Sequence, residues 1–303
     1  MFQAQQLVFY SCVSPVHMGA GSAVGAIDNP IQREVHTEYP LIAGSGLKGA
    51  VRHHFARSWG DTGKGLIKRL FGPEKDASDH AGAIAFTDAA LVAFPVRSLK
   101  NTFVYATSGT ALGRLKRLAG DTAEWAVPVV AEGRALMATA SALSGGRLVL
   151  EAFDFEGKED AGVKAVADWL AAHALPATDE HKFFREKLAI DLVLLSDTEF
   201  SHFVRHATVV EPHVRIDDTS GTASDGGLFY TENLPPETLL AGLVMASVER
   251  RKSAAGSDGL MTAQQVLDAV LKDGDGREGL ADRLLQVGGD ATTGRGLIVV
   301  HSA

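Results

Sequence analysis

Apolar and polar positions change rhythm several times along the chain. The opening QLVFYSCVSPV, residues 6–16, is rich in β-branched and aromatic side chains and breaks at Ser14-Pro15, which predicts a strand. From His17 to Gly46 no period persists. Five glycines together with Pro30 and Pro40 forbid a regular helix there, and a loop of that length is uncommon in a compact domain without a use for it. A helix is predicted to begin at Ser45 or Gly46 and run through GLKGAVRHHFARSW, because Leu47, Val51, Phe55 and Trp59 recur on one face. Lys48, Arg52 and Arg57 lie on the other side. The N-terminus of that helix is predicted to turn free N–H groups and a positive dipole end toward the loop, a place for phosphate.

Residues 82–97 read as strand, turn and strand, and TSGTALGRLKRLAG at 107–120 as a short basic helix carrying Arg114, Lys116 and Arg117. Helical and strand patterns alternate through 163–174 and 182–195. FVRHATVV at 203–210 favours a strand, and two β-like runs joined by a Gly/Ser/Thr/Asp turn within 204–238 predict a protruding hairpin. A helix over 262–272, a glycine loop at 288–296 and a strand at 297–300 close the series. Strands alternating with helices, plus one hairpin insertion, indicate an α/β or α+β sandwich, not a bundle or barrel.

Composition narrows the class. The chain has 303 residues, 46% hydrophobic and 22% charged, ordinary values for a folded chain. One cysteine, Cys12, allows no internal disulfide and no thiolate cluster, so a reducing, cytoplasmic setting is expected. No run of about 18 apolar residues suggests a membrane span. The net charge of −8 weighs against indiscriminate nucleic-acid coating, unless the cations are gathered where the carboxylates are not.

Several short motifs have plain alternatives. GAGSAVG at 19–25 has the wrong spacing for a dinucleotide fingerprint, and GSGLKG lacks the hydroxyl residue of a Walker loop. His202 and His206 stand four apart, but on a strand they have no third ligand in sight; surface histidines are the simpler account. Asp217, Asp218 and Asp225 read as a solvated turn. In GGDATTGRG, Gly294 and Gly296 allow close backbone approach and Arg295 offers a phosphate-pairing fork; a flexible turn is the competing account. The densest constellation is Ser14 to Arg57, where His17, Asp28, Gln32, Arg33, His36 and Lys48 share a glycine-rich segment. Asp28 could ligate a divalent ion or accept a ribose proton, or could simply form an Asx-turn before Asn29-Pro30.

The segment HMGAGSAVGAIDNPIQREVHTEYPLIAGSGLKGAVRHHF, residues 17–55, resembles the N-terminal signature of the RAMP superfamily, in particular the backbone subunits of type III-B CRISPR (Cmr) effector complexes. Residues 82–108, 226–240 and 288–297 resemble the same family in the expected order. The resemblance implies an α+β fold: one RAMP domain over 1–303, with a ferredoxin-like, RRM-related core, inserted finger regions and a β-hairpin thumb near 204–238. It implies copies stacked head to tail along a CRISPR guide RNA, with other Cmr-type subunits as partners and complementary target RNA cut at regular intervals. It makes Asp28 the catalytic residue and ligand of a divalent metal, Mg2+ or Mn2+. His17, Lys48, Arg52, Arg295, Gly294 and Gly296 become RNA contacts. A non-catalytic scaffold and a metal-independent guide-processing endoribonuclease are the alternatives within the superfamily.

Overall fold

The opening apolar block forms β1 (Ala4–Cys12), whose last six residues are buried. A strand sealed on both faces needs partners on both edges, and β1 has them. It pairs antiparallel with β14 (Leu297–Ser302) on one side and β12 (Leu239–Ala246) on the other. The structure, a computed structural model, describes residues 2–74, 80–251 and 259–303.

Between β1 and β12 the chain makes β2 (Leu41–Ile42), α1 (Gly44–Ser58), α2 (Gly60–Phe71), β3 (Ile84–Phe86), β4 (Ala89–Arg97) and β5 (Phe103–Ser108). There follow α3 (Gly109–Ala119), β6 (Arg134–Met137), β7 (Arg147–Leu150), β8 (Phe153–Glu159), α4 (Ala161–His173), α5 (Asp179–Asp191) and β9 (Leu192–Leu195). Then α6 (Asp197–His206) leads into a hairpin of β10 (Val209–Ile216) and β11 (Ala223–Asn233), and α7 (Ala263–Leu271) and β13 (Arg283–Gln286) follow β12. The main sheet runs β13-β14-β1-β12-β4-β5-β9-β6-β8-β7, while β10 and β11 form a separate two-stranded sheet. Contacts β5–β9 and β6–β8 are parallel and the other pairings antiparallel.

The stripe on α1 behaves as its spacing predicts: Leu47, Val51 and Phe55 are fully buried, and Phe55 stacks on Trp59 with centroids 4.0 Å apart. Each such side chain contributes about 1.5–3 kcal/mol by leaving water. Helix α7 closes the same core with Val266, Leu267 and Val270, and α4 covers the other face with Val163, Val166 and Leu170. No helix among the described residues is long and apolar enough to cross a membrane.

One stretch departs from its sequence pattern. FVRHATVV does not begin a strand; residues 203–206 end α6, so His202 and His206 lie on a helix and the hairpin starts at Val209. Ser196 and Glu199 form a capping box, and Phe200, Phe203 and Val204 bury at i, i+3, i+4. Capping and core contact outweigh the β-branched composition.

Candidate functional site at the base of the hairpin

The glycine-rich segment after β1 is not a free loop. Val16 and Leu234 exchange backbone hydrogen bonds of 3.0 and 2.9 Å, the Asn29 N–H donates to Tyr230 O at 3.0 Å, and the Glu232 N–H donates to Asn29 O at 3.0 Å. Two stretches of the segment thus lie against the inner end of β11. Glu232 fixes them. Its side chain is only 3% exposed and accepts from the Ile31 N–H (3.0 Å), the Arg33 guanidinium and the Thr208 hydroxyl (2.8 Å). Arg33 also donates to the carbonyls of Glu38 and Val204, each at 2.9 Å, joining the segment to α6. A buried carboxylate survives when its oxygens are saturated in this way.

Asp28 lies on the outer side of this scaffold. It is half-exposed, and Oδ2 accepts the Tyr230 N–H at 2.7 Å; Oδ1 makes no hydrogen bond among the described residues. The carboxylate reaches across to β11 and does not cap its own turn, so the Asx-turn alternative is not what forms. His17 sits on the same strand end. Its Nδ1 is 2.7 Å from Glu232 O; a carbonyl can only accept, so Nδ1 donates this hydrogen bond. Nε2 lies under Gly19, where an added Cβ would fall 2.8 Å from it.

The C-terminal glycine loop packs onto this cluster from the other side. The Gly289 N–H donates to His17 O at 3.0 Å, and a Cβ at Gly288 would fall 2.2 Å from that same oxygen. Gly296 (φ +84°) is equally confined, 2.0 Å from Val287 O, whereas Gly294 (φ +81°) faces open space. Arg295 does not stand free: its guanidinium pairs with Glu211 on β10 at 2.5 and 2.7 Å.

The predicted phosphate cradle at the start of α1 needs correction. The first N–H of the helix, at Gly44, donates to Asp88 Oδ1 at 2.8 Å, so a carboxylate already sits at the positive dipole end. Positive charge gathers instead along the helix flank. Burial holds the Lys48 ammonium below the usual lysine range, and the guanidiniums of Arg52 and Arg250 push it further down. No carboxylate is within ion-pair distance of Lys48 or Arg250 among the described residues, while Arg52 reaches Glu74 at 3.4 Å. Arg250 is held by Ser247 Oγ (2.9 Å) and lies over the Phe2 ring. Elsewhere arginines 33, 69, 97, 114, 147 and 295 are each paired with a carboxylate. Lys48, Arg52 and Arg250 thus bring positive charge together on one flank of α1 in a chain that is acidic as a whole.

The described residues contain no group of three His, Cys, Asp or Glu side chains placed to hold a metal. Mg2+ commonly takes one or two carboxylates and fills its shell with water and substrate phosphate oxygens, so Asp28 Oδ1 fits as a single protein ligand. Asp217 is spent inside the hairpin tip, accepting from the Thr219 and Ser220 N–H groups at 3.0 and 2.8 Å, which keep its carboxyl below the usual range.

Sequence reading missed Glu232 and Arg250. Glu232 shares an unremarkable Thr-Glu-Asn triplet, and its value lies in partners about two hundred positions away. Over 305 residues the chain is 29% identical to the CRISPR system Cmr endoribonuclease Cmr4 of Pyrococcus furiosus, spanning 97% of this chain and 94% of that protein. The crystal structure of oligomeric Cmr4 from Pyrococcus furiosus superposes with a TM-score of 0.72 at 24% identity, covering 99% of this chain and 98% of that one. A chain of the cryo-EM structure of type III-B Cmr-beta bound to cognate target RNA gives 0.73 at 18% identity, over 99% and 98%. The fold described above is shared with both. Residues 9–299 match the RAMP superfamily, and the chain belongs to it.

Proposed function

We propose that this chain is a guide-RNA-binding backbone subunit of a Cmr-type CRISPR ribonucleoprotein and that it cuts complementary target RNA through Asp28. The observation that carries the reading is the placement of Asp28: half-exposed, with one oxygen held by the Tyr230 N–H at the foot of the hairpin, beside His17 and the glycine loop. Near-full-length similarity to a Cmr endoribonuclease supports the activity, and likeness to a Cmr complex with target RNA supports the partners. Copies of the chain would stack head to tail along the guide, with other Cmr-type subunits, in the cytoplasm.

The strand order β14-β1-β12-β4 with α1 and α7 in the crossovers supports a ferredoxin-like core. We read 98–208 as the finger insertions, β10–β11 as the thumb, and the whole as one RAMP domain. Lys48, Arg52 and Arg250 take guide phosphates. Gly294 leaves room for the backbone of the RNA, and Arg295 ties the glycine loop to the hairpin.

Cleavage is the attack of a 2′-oxygen on the adjacent phosphorus. The 2′-hydroxyl loses its proton, the bond to the 5′-oxygen breaks, and that oxygen leaves with a proton from water, giving a 2′,3′-cyclic phosphate and a 5′-hydroxyl. Asp28 accepts or orients the 2′-proton, and His17, held by Glu232 O, positions the strand. A divalent ion, when bound, would neutralise charge developing on the phosphate oxygens.

Asp28→Asn keeps the shape and removes the charge. Assembled with guide RNA, it should cut labelled complementary RNA at least about 100-fold more slowly than the parent while assembling equally well. Undiminished cutting would defeat the catalytic role of Asp28. For the cation cluster, Lys48→Ala with Arg250→Ala should weaken guide binding about ten-fold and flatten its salt dependence by one to two phosphate contacts, about 0.7 in slope for each. An unchanged slope would remove these two residues from the RNA path.

A further inference from the structure

Helix α7 is followed by a tight turn. The backbones of Gly274 and Arg277 exchange hydrogen bonds of 3.0 and 2.9 Å, with Asp275 (φ +52°) and Gly276 (φ +72°) between them, the left-handed pair that an Asp-Gly sequence favours. The turn sets Arg277 in the wall of a cleft of about 1070 Å3 lined by α2 and α7. Its Nε is sealed from solvent and meets no acceptor, and its guanidinium has no ion pair among the described residues. A buried donor without an acceptor is uncommon in a folded chain and is accounted for by a water, an ion or a ligand. We propose that this cleft binds a small organic phosphate ester, of about mononucleotide size, with the Arg277 guanidinium as its phosphate fork.

Charge favours an anion here. The chain as a whole is acidic, yet five Lys or Arg residues and three Asp residues line this cleft. Two of the three carboxylates are occupied, Asp268 by Lys272 at 2.9 Å and Asp273 by Arg283 at 2.9 Å. Asp275 is exposed on the turn, with no ion pair among the described residues. Arg69 and Arg251 share the buried Glu249 at 2.7 and 2.6 Å, and one carboxylate under two guanidiniums leaves a positive charge at the wall. A phosphate answers both that excess and the unfilled fork of Arg277. The remaining lining argues for an organic part. Leu66, Met261 and Ala269 face the cleft and pack on the main core. A bare ion would use neither this apolar surface nor a volume comparable with the largest small-molecule sites, roughly 1,000 Å3. The cleft shares no residue with Asp28 or with the Lys48, Arg52 and Arg250 flank, so it stands or falls apart from the RNA reading above.

The test titrates the full chain by calorimetry with AMP, with inorganic phosphate, and with a 5′-phosphorylated RNA trinucleotide beside its unphosphorylated twin. The parent should bind AMP at least about five-fold more tightly than inorganic phosphate, through the apolar lining. Arg277→Ala should weaken AMP at least about ten-fold, and Arg277→Lys, which keeps the charge without the fork, should recover only part of the loss. Ala269→Phe fills the apolar side and should erase the preference for AMP while phosphate still binds. Because the guanidinium has no protein partner, the urea midpoint of Arg277→Ala should stay at the parent value. If the phosphorylated trinucleotide binds better than both AMP and its twin, an RNA 5′ end is the source of the ester; if AMP binds better, a free nucleotide is. The proposal is overturned if the parent binds neither AMP nor the phosphorylated trinucleotide at millimolar concentration, or if Arg277→Ala holds AMP as the parent does. AMP bound no better than phosphate would mean an anion site only and would also defeat it. A lowered urea midpoint in Arg277→Ala would assign this arginine to the fold and sink the proposal.

Discussion

Glu232 and Asp28 both touch the inner end of β11, and the fold treats them in opposite ways. Glu232 is buried, receives three donors on its carboxylate and holds His17 through its own carbonyl. Asp28 is half-exposed and receives one donor on one oxygen. The buried acid spends its charge on geometry, and the exposed acid leaves Oδ1 without a hydrogen bond among the described residues. A carboxylate's surroundings, not its residue type, separate a structural role from a chemical one.

The contrast is sharpest in stability. Glu232→Ala strands the Arg33 guanidinium, the Ile31 N–H and the Thr208 hydroxyl together, and should cost about 3–5 kcal/mol in urea unfolding. Asp28→Asn keeps an oxygen for the Tyr230 N–H and should cost under about 1 kcal/mol. If the two losses came out equal, the division of roles would be broken. Glu232→Ala should also lower cleavage, through displacement of His17 and the Asn29 backbone. Asp28→Asn should do so with the fold intact.

Much of this scaffold was legible in the chain. The α1 stripe, the basic α3, the paired strands at 84–97, the hairpin and the final strand all follow from local period and turn chemistry. Asp28 and His17 stood out because they crowd one glycine-rich segment that resembles the family signature, and the structure brings both to the inner end of β11. What local pattern could not give was pairing at a distance. Asp88 reaches the start of α1 from 44 positions away, Arg295 finds Glu211 across 84, and Arg33 finds Glu232 across 199. The strand predicted at 203–210 failed for a local reason: the capping box at Ser196 and Glu199 outranks β-branched residues once Phe200 and Phe203 have a core to fill.

Glu237 falls between the two extremes and allows a pH test. It sits in the turn between β11 and β12 with one donor, the Tyr105 hydroxyl at 3.3 Å, and burial pushes its carboxyl up to about 7. The folded chain therefore holds a proton that the unfolded chain releases above its ordinary value of 4.5. Its contribution is greatest on the acid side of that window and is lost as pH rises through about 7. Discounted for partial contact with water, the difference is about 1–2 kcal/mol. Glu237→Gln should remove this slope from unfolding free energies measured between pH 5 and pH 8, a range chosen to straddle about 7. An identical slope in the two proteins would mean that burial is not what Glu237 responds to.

The smallest effect belongs to Arg295 and Glu211, each about a quarter exposed. An ion pair still wetted by solvent contributes no more than about 1 kcal/mol, so Arg295→Ala should barely move the unfolding midpoint. Its consequence is positional: the guanidinium is the side-chain tie between the glycine loop, which packs on His17, and the outer strand of the hairpin. Arg295→Ala and Glu211→Ala should therefore reduce cleavage alike, by a few-fold, and the double variant should be no worse than either alone. If Arg295 instead met RNA phosphate directly, only its own loss would weaken binding, and Glu211→Ala would strengthen it by freeing the fork. The sign of the Glu211→Ala effect on RNA affinity thus decides whether this arginine serves the fold or the ligand.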